Sequence, residues 1–219
     1  MKTFFILIII VALGYFGWQA IQTQPDPATP AATVGDTTTG TPTDTAANPA
    51  AGGTQEQTVV VVNDLVTISF KGFGPGKEHT GSFGKVTSTL SYKDGAFSGS
   101  AVIDVNSLTT DNEKVTAHLK TADFFDTAKY PTATFTPTKW DMTDAAQGKF
   151  VMSGDLTLHG VKKAISFPVT YTEVVPAANV RMAYTKSYKS TFTLNLKDFG
   201  ISQAFANETI EVSIVVPVR

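Results

Sequence analysis

Cysteine is absent from all 219 residues. That excludes disulfides, thiolate metal sites, a cysteine nucleophile and a lipid-modified N-terminal cysteine. Basic residues are absent between Lys2 and Lys71, an interval that holds Asp26, Asp36, Asp44 and Glu56. From Thr58 onward the charges nearly cancel, with 16 basic and 15 acidic residues (17 less Lys2, 19 less those four). No broad basic field is available to hold nucleic acid. No GxSxG elbow occurs. His79, His118 and His159 are 39 and 41 residues apart, with no HxH or HExxH spacing, so they make no recognisable zinc set. Asp123 and Asp126, three apart, read as capping and solvation. No catalytic group, metal or cofactor is expected.

The N-terminus is the opposite of sparse. After Lys2 comes an uncharged apolar run from Phe4 to Trp18, which reaches Ile21 if Gln19 is tolerated. Eighteen helical residues would span roughly 27 Å, close to the ~30 Å hydrocarbon core. Residues 1–21 therefore read as a transmembrane anchor or a signal segment. The bulky Trp18 in Trp18-Gln19-Ala20 suits a cleavage site poorly, which favours the anchor. Lys2 would favour an N-in, C-out orientation. Residues 22–57 are rich in Pro, Ala, Thr and Gly, with almost nothing large to bury, and are expected to stay disordered as a linker. A linker of ~35 residues spans roughly 30–35 Å. Residues 58–219 then form one domain, large enough for a core.

That domain has mostly period-two patterning. Val66, Ile68 and Phe70 share one face, as do Phe150, Met152, Leu156 and Leu158. Ile165, Phe167 and Val169 make a third face, with Phe192, Leu194 and Leu196 a fourth. Ile210, Val212, Ile214 and Val216 make another, and Thr and Ser dominate the opposite sides, as in solvated antiparallel strands. Asp94-Gly95 is a type I′ hairpin signal, and His159-Gly160 is another turn. Residues 111–129 break the pattern with helix formers, a cap at Asp111 or Asn112 and a stop at Pro131. A short helix pair over one end of the strands is expected. Seven or eight antiparallel strands fit a barrel or a sandwich equally well.

Two segments narrow the choice. HLKTADFFDTAKYPTATF, residues 118–135, pairs a helical stretch with a Tyr-Pro stop and a Thr-rich strand, and GDLTLHGV, residues 154–161, ends a strand tightly. Together with GKEHTGSF (76–83), DVNSLT (104–109) and KDFGI (197–201), they resemble the YceI-like family. This resemblance implies an all-β, lipocalin-like antiparallel barrel of about eight strands with a short helical insertion. It also implies an extracytoplasmic protein that holds a polyisoprenoid or quinone-like lipid and performs no chemistry. The resemblance implies Arg in many members at the position where this chain has Leu196, so any polar head-group contact that such an Arg would make is not expected here.

If a lipid tail lies inside, each buried CH₂ contributes about 0.8 kcal/mol. The candidate lining begins with Phe70, Leu90, Phe97 and Ile103, followed by Leu119, Phe124 and Phe125 in the helical insertion. Phe135, Phe150, Met152 and Leu156 follow, then Phe167, Phe192, Leu194 and Ile214. Lys162-Lys163 is a candidate for a pyrophosphate head group. Expected partners are the lipid, the membrane through residues 1–21, and a second copy of the chain. The rival readings are a filled, non-catalytic interaction module on a stalk and an enzyme acting on lipids.

Overall fold

A computed structural model of the chain describes residues 25–35, 65–74, 76–93, 96–142, 144–173, 186–202 and 207–218. The expected membrane segment, most of the linker, Asp94-Gly95 and the turn at 176–179 lie outside the described residues.

The strands are β1 (Thr33–Gly35), β2 (Thr67–Gly74), β3 (Lys77–Phe83), β4 (Val86–Ser88), β5 (Ser91–Lys93), β6 (Ala96–Ser98) and β7 (Ala101–Asp104). They continue as β8 (Leu108–Thr110), β9 (Thr132–Asp141), β10 (Lys149–Leu158), β11 (Val161–Glu173), β12 (Lys186–Asn195) and β13 (Thr209–Val218). One antiparallel sheet runs β4-β7-β9-β10-β11-β12-β13-β2-β3-β8, with β1 added beside β11; β5 and β6 form a separate hairpin. The chain passes from β3 into β4 and from β7 into β8, so the two ends of the sheet are covalently joined. Gly84 N–H donates to Ser107 O (3.2 Å) and Asp104 N–H to Lys85 O (3.0 Å), which carries the pairing across the joint. The sheet therefore curls around a core, and the fold is all-β, antiparallel and lipocalin-like. In the β5–β6 hairpin Lys93 stands opposite Ala96.

The family segments meet at one end. His159 (φ 51) and Gly160 (φ 76) make the two-residue turn between Leu158 and Val161. Both angles are left-handed, as a type I′ turn requires. The Tyr130 ring packs on His159 at 4.4 Å, and a Cβ at Gly160 would come within 2.6 Å of that ring. His159 Nδ1 lies 3.3 Å from Phe199 O. Phe199, Leu108, Leu196 and Val105 are buried here to 2% exposure or less. This end is sealed by packing.

Three expectations need correction. First, the helix is shorter than 111–129: α1 spans only Glu113–Leu119, and residues 120–130 are turns. Asn112 does cap it, accepting from Lys114 N–H and Val115 N–H. Phe125 N–H reaches back to Leu119 O, and Asp126 takes φ 45. This path buries Phe125 edge-on against Phe83 at 6.4 Å, a tertiary gain that outweighs local helix propensity. Second, alternation fails in β9. Ser153 pairs with Lys139 and Gly154 with Pro137, so Thr138 is an extra residue. Pro137 has no N–H to give the ladder, and such residues sit at bulges. Third, residues 33–35 of the expected disordered linker form β1, with Thr33, Val34 and Gly35 opposite Ser166, Ile165 and Ala164. An extended chain of small residues finds an open ladder edge there.

Candidate functional site

The inward faces enclose a cavity of about 380 Å³. That is well above the roughly 150 Å³ of an engineered apolar cavity that admits benzene. It falls within the roughly 300–1,000 Å³ range of ligand pockets. Its lining is apolar apart from Ser88, Lys189, Ser190 and the polar edges of Trp140 and Tyr188. Ser190 Oγ is already engaged, donating to Pro168 O. Such a surface solvates hydrocarbon and orients it only weakly.

Each wall follows from strand parity. Even-numbered residues of β10, β12 and β13 and odd-numbered residues of β11 face inward, so Met152, Phe192, Val212 and Phe167 meet across the interior. Aromatic rings organise three zones. Phe167 stacks on Phe192 at 4.7 Å and leans on Phe135 at 5.5 Å. Trp140 stacks on Phe150 at 4.8 Å, with Tyr188 edge-on to Trp140 at 5.8 Å. Phe70 lies 5.6 Å from Phe83, which touches Phe125. Two glycines make room for these rings. A Cβ on Gly154 would fall 2.5 Å from Phe135 Cζ, and one on Gly81 would fall 2.4 Å from Phe70 Cζ. Met142 lines the cavity yet is 45% exposed, so the mouth lies on its side, away from the sealed end.

The structure brings many of the candidate residues to this one cavity. Phe70, Leu90, Ile103 and Phe125 line it from the first half of the domain. Phe135, Phe150, Met152 and Leu156 line it from β9 and β10, and Phe167, Phe192, Leu194 and Ile214 from β11 to β13. Leu119 and Phe124 pack against the same core without reaching the cavity. The Phe97 side chain lies outside what is described. Leu196 is an apolar part of the lining. Lys162 does not reach a mouth; its Nζ pairs with Asp155 Oδ2 at 2.8 Å near the sealed end.

Sequence reasoning missed Trp140 and Met142. Strict alternation from Ala133 and Phe135 would turn Pro137, Lys139 and Asp141 inward, and the extra residue at Thr138 reverses the parity. Pro137 inside a strand pattern is the signal that could have found them. Away from the cavity, the His79 ring hydrogen-bonds the Asp111 carboxyl at 2.9 Å and holds it below the usual carboxylate range.

Comparison with known proteins agrees with this geometry. The YceI-like domain model matches residues 54–218. A UPF0312 protein of Vibrio cholerae serotype O1 is 34% identical over 140 residues, covering 62% of this chain and 71% of that protein. A UPF0312 protein of Vibrio vulnificus is 30% identical over 139 residues, with the same coverage. Burkholderia cenocepacia BcnA superposes with a TM-score of 0.60 at 17% identity, over 72% of this chain and 98% of that one. A polyisoprenoid binding domain from Saccharophagus degradans gives a TM-score of 0.56 at 16% identity, over 75% and 99%. At such identities these two structures speak to the fold. By its sequence match from residue 54 to residue 218, the chain belongs to the YceI-like family.

Proposed function

We propose that this protein is an extracytoplasmic, membrane-tethered carrier that holds a polyisoprenoid-type lipid non-covalently inside its barrel. The observation that carries this reading is the cavity of about 380 Å³ with its nearly unbroken apolar lining. An isoprenoid tail needs burial and few polar contacts, and this wall offers that combination. The Saccharophagus degradans domain of the same fold is described as polyisoprenoid binding, which supports the ligand class. The mechanism is burial and release, with no bond made or broken. Counting β3 with β4 and β7 with β8 as bent staves gives the barrel of about eight strands that such a carrier uses. The apolar run at residues 4–18 supplies the tether and keeps the carrier beside the bilayer that supplies its ligand.

Trp140 offers the test, since it lines the cavity. Purified, lipid-stripped protein carrying Trp18→Phe, titrated with a polyprenyl phosphate in detergent, should show a saturable change in Trp140 fluorescence. A short-chain alcohol phosphate should not compete. No saturable change with any polyprenyl or quinone lipid would contradict the carrier reading and favour the filled interaction module.

A further inference from the structure

Residues 30–35 close a gap that the other strands leave open. β11 and β12 pair with each other only from Thr170–Lys189 to Glu173–Lys186. Continued in the same register, Ser166 would face Thr193. Instead Ser166 faces Thr33, while Thr193 N–H donates to Pro30 O (2.8 Å) and Ala32 N–H donates to Thr193 O (2.7 Å). The inserted segment thus lies in the sheet between β11 and β12. Ala32 and Val34 pack against the core, and Thr33 and Gly35 are exposed.

Its hold is slight. Three residue pairs join it to β11 and one bridge joins it to β12, whereas β10 and β11 run in register from Lys149–Thr170 to Leu158–Val161. Its inward side chains are only an alanine and a valine. On the outer face, the Thr29 hydroxyl donates to Glu211 Oε2 at 3.0 Å.

The ladder is interrupted beside it. Pro168 has no N–H, and Ser190 meets Pro168 O through its hydroxyl instead of through a ladder bond. A second hollow, of about 600 Å³, lies here and is bordered by Pro30, Val151 and Pro168 together with the charged Asp141, Asp144 and Lys149. It shares Phe150, Val169, Lys189 and Ser190 with the inner cavity. One layer of residues separates the two spaces.

We propose that residues 30–35 are a removable stave that shuts a lateral entrance to the cavity between β11 and β12. The inference rests on the lipid-carrier reading. The stave precedes the family match, which begins at residue 54. A hydrocarbon tail entering sideways slides along Phe150 and Val169 without being drawn end-on through the mouth.

The test uses the full chain with Trp18→Phe, which leaves Trp140 as its only tryptophan. Thr33→Cys and Ser166→Cys then add the only two thiols, directly opposite each other. Ubiquinone-10 in phosphatidylcholine vesicles is the probe, and quenching of Trp140 reports loading. The oxidised protein should load about tenfold or more slowly than the same protein reduced, with the same final quenching. Equal rates with full quenching overturn the entrance and leave lipid binding intact. No quenching in any form, the parent included, overturns the carrier reading and the entrance with it. Should the thiols fail to join, Val34→Asp decides. A carboxylate in the apolar wall expels the stave and speeds loading, and a rate equal to the parent's overturns the proposal.

Discussion

Phe150→Ala and Phe199→Ala remove the same atoms from very different surroundings. Phe199 is completely buried at the sealed end, so its loss leaves a new void, and Phe→Ala in such a place costs about 3–5 kcal/mol. Phe150 borders the cavity, so the space it vacates joins a space already present. The term for a new void, about 24 cal/mol per Å³, therefore largely disappears. What remains is the stacking on Trp140 at 4.8 Å, worth about 0.5–1.5 kcal/mol, and some partial burial. In lipid-stripped protein Phe150→Ala should cost about 1–2 kcal/mol, at least about 1 kcal/mol less than Phe199→Ala. Equilibrium urea unfolding at an unchanged m-value measures both. Equal costs for the two variants would refute the reasoning and mean that Phe150 fills a packed core.

Gly154→Ala should destabilise by about 1–3 kcal/mol, because its Cβ would lie 2.5 Å from both the Phe135 ring and Thr136 O. Gly35→Ala, whose nearest neighbour is 3.9 Å away, should be close to neutral, and thermal melts of the two variants check both. Gly160→Ala should lower the melting temperature, because the residue sits at φ 76 against the Tyr130 ring. Asp111 is held below its ordinary value, first by its hydrogen bond with His79. A depressed carboxylate pKa adds stability that is complete above the unfolded-state value and is lost as pH falls through the folded one. His79→Ala should return the Asp111 titration, followed by carboxyl-carbon NMR, toward the ordinary range. A titration that stays put would remove His79 as the cause.

The walls of the cavity were legible because a half-buried strand repeats every two residues. Phe150, Met152 and Leu156 on β10 and Phe192 and Leu194 on β12 follow that rule, and the structure puts them around one space. Parity is lost where backbone pairing adds a residue, and the extra residue Thr138 is what turns Trp140 and Met142 inward against simple alternation. The end of α1 depended on Phe125 finding Phe83, a contact 42 positions apart that no local propensity encodes. β1 was illegible for a related reason. Pro30, Ala31, Ala32, Thr33 and Val34 have a linker's composition, and their order comes from the open ladder edges at Ser166 and Thr193. Barrel and sandwich could not be separated by periodicity, since both alternate. The joint between β3 and β4, paired across to β7 and β8, settles how the sheet curls.

Native mass spectrometry of the full chain purified from a bacterial host, with organic extraction of the same sample, tests the central claim most directly. The account predicts a non-covalent adduct of several hundred daltons, on the order of what an apolar pocket of this class buries, that extracts as an isoprenoid. A clean protein mass, with no adduct after incubation with polyprenyl and quinone lipids, would contradict it.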